Sequence, residues 1–178
     1  MLSTRVNDLM IPIDDYPHVT YEDSLLTAMR AVEEKWIEID GQKTIPFVIL
    51  VFGKSDNLVG MASLNNILRG LEPKYLIKRS FIDKLLNTKK EPGLDDIKDK
   101  RIVRGILEQS ERRIGEVMFP IEATIQFDEH IFKAVNVISE CKISLIPVLK
   151  EDKVIGVVRS VDIFHKIAQT LIEDDYVW

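Results

Sequence analysis

The chain has 178 residues, 46% of them hydrophobic and 30% charged, a balance that supports a packed core in a globular protein. No apolar run reaches membrane-spanning length, and the first ten residues, with Arg5, Asn7 and Asp8 among them, lack the apolar core of a signal peptide. The single cysteine, Cys141, excludes an internal disulfide framework and suits a reducing cytoplasm, while the net charge of −5 argues against general nucleic-acid binding.

In chain order, Val6-Asn7-Asp8-Leu9-Met10-Ile11-Pro12 reads as a short helical turn ending in Met, an apolar residue and Pro. Glu22 and Asp23, after Val19-Thr20-Tyr21, favour a helix N-terminus. Leu25, Leu26, Met29 and Val32 then recur at helical spacing. Pro46 to Phe52 is short, apolar and rich in Val, Ile and Phe, as a buried strand is. Lys54-Ser55-Asp56-Asn57 makes a turn, Leu58-Val59-Gly60-Met61-Ala62 a second strand, and a helix starts near Leu64.

Pro73 to Leu86 reads as an amphipathic helix with Ile77, Phe81, Ile82 and Leu85 on one side, and Asn87 to Gly93 breaks it. Asp95 and Asp96 open a further helix through Ile97, Ile102, Val103, Ile106 and Leu107; the whole segment is too apolar for a flexible linker. Of the chain's 24 Lys/Arg and 29 Asp/Glu, residues 71–113 hold twelve and eight, so this segment is basic and the rest is acidic. A solvated, salt-bridge-laced helical segment accounts for the excess; the alternative is docking on an acidic surface of this chain or of a partner.

The second half repeats the first. Ile114-Gly115-Glu116-Val117-Met118-Phe119-Pro120 resembles Val6 to Pro12, and Ile125-Gln126-Phe127-Asp128-Glu129 resembles Val19 to Asp23. Ile131, Phe132, Val135 and Ile138 take the helical spacing, and Ile143 to Leu149 forms the strand. Ile146-Pro147-Val148-Leu149 is matched to Ile45-Pro46-Phe47-Val48, and Val154-Ile155-Gly156-Val157-Val158 to Leu58 to Ala62. Lys150 to Lys153 is the intervening turn, and the last helix starts near Ser160. The expected fold class is α+β (mixed α/β), with repeat 1 at 1–70, a helical insertion at 71–113 and repeat 2 at 114–178. Each repeat is β-α-β-β-α. One repeat has more apolar face than it can leave in water, so the two should pack about a pseudo-twofold axis with Gly60 and Gly156 in equivalent places.

A Met-x-Pro lead-in, a helix, an apolar-Pro strand, a Gly-containing strand and a Ser/Thr-x-x-Asp helix start together resemble the cystathionine-β-synthase-type (CBS) repeat. The resemblance covers Val6 to Leu71 and Ile114 to about Ile172. It implies a stand-alone tandem CBS pair, or Bateman module, that commonly dimerises. Many such pairs bind adenosine-containing ligands in two clefts between the repeats, and they regulate attached or associated enzymes and transporters. The ligand signature is Gly, two apolar residues, Thr/Ser, two further residues and Asp. In it the hydroxyl and the helix N-terminus can meet a phosphate, and the acceptor-only carboxylate can take both hydroxyls of a ribose.

The chain departs from that signature twice. The first copy, Gly60 to Asn66, keeps the hydroxyl at Ser63 but has Asn66 in place of Asp. The second, Gly156 to Asp162, keeps Asp162 but has Arg159 where the hydroxyl is expected, with Ser160 next to it. The resemblance therefore implies a second-copy site with Asp162 on the ribose, Arg159 or Ser160 on a phosphate, and Ile146 and Pro147 beside the base. The first-copy cleft would use Ser63, Asn66, Ile45 and Pro46. The implied ligands are AMP, ADP, ATP or S-adenosylmethionine, with no cofactor required. The implied partners are a second copy of the chain, forming a homodimer, and a regulated protein of unknown identity. The alternative is a ligand-free scaffold that acts by association alone.

Other chemistry finds less support. His18, His130 and His165 show no metal-ligand spacing with each other or with Cys141, which reads as a packed thiol. Asp14-Asp15 and Asp174-Asp175 read as solvated acids, and no Walker loop or Gly-x-Gly-x-x-Gly is present. Tyr75 and Phe81 have the spacing of a buried helix face, not of a base-stacking platform, and Trp36 and Trp178 read as core and tail aromatics. The expectation is a cytoplasmic regulator, not an enzyme, that engages neither nucleic acid nor membrane.

Overall fold

The computed structural model describes residues 3–39, 42–73 and 100–173. The helix expected from Pro73 to Leu86, the break at Asn87 to Gly93, the helix start at Asp95-Asp96, and Tyr75, Phe81, Asp174, Asp175 and Trp178 lie outside the described residues apart from Pro73.

In repeat 1 a 3-10 turn at Val6–Asp8 leads to β1 (Ile11–Pro12), then β2 (His18–Thr20) and α1 (Leu25–Glu34). A hairpin of β3 (Ile37–Ile39) and β4 (Gln42–Thr44) follows, then β5 (Val48–Phe52), β6 (Leu58–Ser63) and α2 (Leu64–Leu71). Helix α3 (Lys100–Ser110) bridges to repeat 2. There a 3-10 turn at Ile114–Glu116 precedes β7 (Ile125–Gln126), α4 (Ile131–Cys141), β8 (Leu145–Lys150), β9 (Lys153–Arg159) and α5 (Ser160–Glu173). The fold is mixed α and β, and the two repeats share one strand pattern. In each, a short first strand runs parallel to the next, which pairs antiparallel with the third: β2-β5-β6 and β7-β8-β9.

The pseudo-twofold relation is carried by an exchange of lead-ins. Strand β1 of repeat 1 joins the sheet of repeat 2, with Ile11 opposite Val157 and Pro12 opposite Gly156. Reciprocally, Phe119 bridges Met61 through two backbone hydrogen bonds of 2.9 and 2.8 Å. Val6 N–H donates to Glu129 O at 2.9 Å, and Ile114 N–H to Asp23 O at 2.8 Å. At Gly60 and Gly156 the foreign backbone lies directly against the strand. A Cβ at Gly60 would sit 2.9 Å from Phe119 O, and one at Gly156 would sit 2.4 Å from Ile11 O, so only glycine admits the crossing strand.

Apolar burial follows the exchange. Val6 is fully buried among Ile125, Ile131, Ala134 and Ile146 of repeat 2, and Ile114 among Leu25, Ala28, Ile49 and Ile67 of repeat 1. At about 1.5–3 kcal/mol per buried aliphatic side chain, each exchange ties one repeat's stability to the other's. A third cluster lies between the two sheets: Tyr16, Val48, Leu50 and Met61 meet Leu145 and Val157, with Ile37 alongside.

Three expectations need correction. The match of Ile45-Pro46 to Ile146-Pro147 is out of register. Val51 lies opposite Gly60 as Val148 lies opposite Gly156, so Ile49 and Leu50 hold the places of Ile146 and Pro147, while Pro46 precedes β5. The cause is the β3–β4 hairpin. In repeat 2, Lys142 in the left-handed conformation ends α4 and the chain enters β8 directly. Trp36, beside that hairpin, is 51% exposed and is not a core residue. Phe132 of α4 is also exposed, lying flat against the His130 ring, and so is Met29 of α1, because Ile131 and Ala134 on α4 and Leu25, Ala28 and Val32 on α1 are the residues that turn inward.

Candidate functional site

Both signature segments lie where the third strand of a repeat runs into its second helix. In repeat 1, Ser63 caps α2: its Oγ accepts from Asn66 N–H at 3.2 Å, and Asn66 Oδ1 accepts from Ser63 N–H at 3.2 Å. The Ser63 hydroxyl also donates to Asn66 Oδ1. This is a neutral reciprocal cap that satisfies helix-start N–H groups left without intrahelical partners.

In repeat 2 the same register holds Arg159 and Asp162, since Leu145 faces Arg159 as Val48 faces Ser63. Arg159 Nε donates to Asp162 Oδ2 at 2.8 Å and Nη2 donates to Oδ1 at 2.7 Å, with both side chains only 7% exposed. The carboxylate's two oxygens are thus taken by a parallel two-bond clamp. Ser160 starts α5 and donates its N–H to Ser144 O at 2.9 Å, as Leu64 does to Phe47 O at 3.0 Å.

Tyr16 completes the region and was not singled out from the sequence. It is fully buried, and its hydroxyl donates to Val48 O at 2.8 Å. Burial pushes the phenol above its ordinary range, the nearby Arg159 charge pulls it down, and the Asp162 charge pushes it up again. The one local signal was an aromatic placed directly before Pro17 at the start of β2; Glu122 and Ala123 occupy the corresponding stretch of repeat 2.

The other expected residues are dispersed. Ile146 is fully buried in the helix-facing core of repeat 2 with Ile131, Ala134 and Ile163. Pro147, next along β8, is buried opposite Val157, and strand alternation turns it to the other face. Ile45 packs on the helix-facing core of repeat 1, and Pro46 is buried just before β5. The structure therefore gathers Arg159, Ser160 and Asp162 at the start of α5, and Ser63 and Asn66 at the start of α2. It does not bring the Ile146 or Ile45 side chains to either.

A groove of about 1490 Å³ opens at the opposite end of the sheets, between the β5–β6 and β8–β9 turns. Phe52, Lys54, Asn57, Asp152 and Lys153 are among its lining residues, and none of the expected ligand residues is. Among the described residues, no group of three or more His, Cys, Asp or Glu is arranged to hold a metal ion, and no helix is long and apolar enough to cross a membrane. Cys141, at the end of α4, is a free, partly buried thiol.

Residues 114–169 match the family model described as the CBS domain. No curated protein matches the chain in sequence. Solved structures match in fold. Protein MJ1004 from Methanocaldococcus jannaschii shares 20% identity at a TM-score of 0.59 over 93% of this chain, which spans 60% of that protein's chain. The CBS domain of a CBS-domain-containing membrane protein from Sphaerobacter thermophilus shares 19% identity at a TM-score of 0.66, covering 92% of this chain and 87% of that one. The CBS-pair protein CBSX2 from Arabidopsis thaliana shares 17% identity at a TM-score of 0.62 over 97% and 99%. A CBSX2 structure in complex with AMP shares 18% identity at a TM-score of 0.58 over 93% and 96%. Exchanged lead-ins, paired glycines and two signature corners in one register accompany these likenesses: residues 114–169 match the CBS domain, and the chain as a whole has the fold of these CBS-pair structures.

Proposed function

We propose that the chain is a regulatory ligand-sensing module that takes an adenosine-containing ligand at the start of α5. The observation that carries this is the Arg159–Asp162 clamp, a buried bidentate ion pair at the signature position. Desolvating two charges is costly, and a well-packed apolar pair would often serve stability as well or better. A ligand gives both charges a use. A ribose diol offers Asp162 two donors in place of the guanidinium's two. The released Arg159 can then grip a phosphate bidentately, next to the N–H groups at the start of α5. The AMP complex of CBSX2, a protein of the same fold, supports this choice of ligand class. The proposal includes a cytoplasmic location and no catalysis of the chain's own.

The test is calorimetric titration of the protein with AMP, ADP, ATP and S-adenosylmethionine, repeated on Asp162→Asn and Asn66→Asp. Asp162→Asn should weaken the binding by about tenfold or more, the equivalent of about 1.4 kcal/mol. Asn66→Asp should strengthen binding at the α2 corner. A folded Asp162→Asn that binds as tightly as wild type overturns the assignment.

A second reading is favoured by one surface. Val161, Phe164, Leu171 and Ile172 on α5 are 53–77% exposed, and an apolar stripe of this kind marks an association surface. It supports homodimerisation, or scaffolding of a protein partner, with or without a small ligand. Sedimentation at tens of micromolar (on the order of weak-dimer affinities) should show a dimer, and Phe164→Glu should dissociate it.

A further inference from the structure

We infer that Tyr16 is an internal stand-in for the ligand's base, a residue that fills the space between the repeats and sets which ring can replace it. The inference rests on the adenosine-ligand proposal above and adds the element that competes with the ligand. Among the described residues, Tyr16 is the largest of the fully buried side chains. It belongs to one buried cluster with Val48 of repeat 1, Leu145 and Val157 of repeat 2, and Ile37 of the β3–β4 hairpin, so it sits in the core shared by the two repeats. Val48 is the strand partner of Ser63, and Leu145 is the strand partner of Arg159, so the ring lies between the two signature corners.

What Tyr16 presents there is chemically close to what an adenine presents. It has a flat aromatic body for apolar neighbours and one edge donor, which meets the Val48 carbonyl at 2.8 Å. An exocyclic amine on a purine satisfies the same acceptor. Removing the ring without replacing it would leave a buried carbonyl unpaired, so only a ligand with a donor at that edge can take its place without a penalty. The backbone holds the residue by local contacts. Tyr16 N–H donates to Ile13 O at 3.1 Å, its carbonyl lies 2.8 Å from His18 Nδ1, and Pro17 O accepts from Leu50 N–H at 3.2 Å. Repeat 2 has Glu122 and Ala123 in the equivalent stretch, so the device belongs to repeat 1 alone.

A ligand that must displace Tyr16 binds with an affinity reduced by the small fraction of molecules in which the ring is out. The experiment measures AMP affinity by calorimetry, and the effect of AMP, adenine and p-cresol on the thermal midpoint, for wild type, Tyr16→Ala and Tyr16→Phe. Tyr16→Ala should bind AMP at least about tenfold more tightly than wild type, and adenine should raise its depressed midpoint. Tyr16→Phe, which keeps the ring and frees only the carbonyl, should fall between. If all three proteins bind AMP equally, Tyr16 is not a stand-in, and the Asp162 site survives. If no adenosine compound binds any of them while p-cresol alone restores Tyr16→Ala, Tyr16 is an ordinary core residue, and the nucleotide proposal falls with it. Should Tyr16→Ala fail to fold, Tyr16→Phe decides: equal affinity with wild type overturns the inference.

Discussion

At the start of α2, Ser63 and Asn66 close a neutral cap. At the start of α5, Arg159 and Asp162, in the same strand register, close a buried ion pair. Both corners face one local problem, the N–H groups of a helix's first turn and the side chains above them. They differ in what happens when one member is lost. A cap residue leaves behind groups that water can reach, whereas half of a buried ion pair leaves a charge with no counter-charge. The repeats can therefore share a backbone while only the second is bound to keep its acid.

The sharpest way to break this comparison is to remove one acceptor from each corner. Asp162→Ala strands a guanidinium that is 7% exposed and should cost about 3–5 kcal/mol in denaturant unfolding. Asn66→Ala removes a capping partner and should cost about 1 kcal/mol. Equal losses would mean that the ion pair is no more than a second cap. Replacing both partners, Arg159→Met with Asp162→Leu, should recover most of the loss, as is common when a buried pair gives way to apolar side chains.

The glycines extend the comparison to the crossing strands. Ala at either position forces the foreign lead-in outward, and overpacking of this kind costs about 1–3 kcal/mol. Gly156→Ala should cost more than Gly60→Ala, because its Cβ would meet backbone at 2.4 Å instead of 2.9 Å. Chemical denaturation of the two variants gives the ordering, and the reverse order would show that β1 is the more yielding of the two lead-ins.

Tyr16 gives the smallest effect and the most specific one. An unfolded tyrosine ionises near pH 10, while burial holds Tyr16 protonated above that point. Its contribution to stability is therefore whole below about pH 10 and drains away as the pH rises past it, because the unfolded chain then gives up the proton first. Wild type should lose more stability than Tyr16→Phe between about pH 9 and about pH 11. Parallel losses in the two proteins would show that the phenol is not held by the inter-repeat core.

The local features were legible in the sequence because they are written in short-range patterns. Leu25 and Val32 turn inward on α1, and Ile131 on α4, as their helical spacing implied, while Ala28 and Ala134, in place of Met29 and Phe132, complete the buried faces. Gly60 and Gly156 appeared as matched positions, and Ser63, Asn66, Arg159 and Asp162 as the variable members of one motif, because each stands at a fixed distance from its glycine. Tertiary structure alone decided the rest. The hairpin at Ile37–Thr44 shifted the register of one repeat against the other, so two Ile-Pro pairs that look equivalent are not. Strand alternation sent Ile146 to the helices. The closure of Arg159 on Asp162, and the packing of Tyr16 between sheets that are remote in sequence, depend on which groups the fold strips of water together. A buried charge must find its partner and a buried hydroxyl its acceptor wherever the crossing of the lead-ins happens to leave them, and no spacing along the chain encodes that choice.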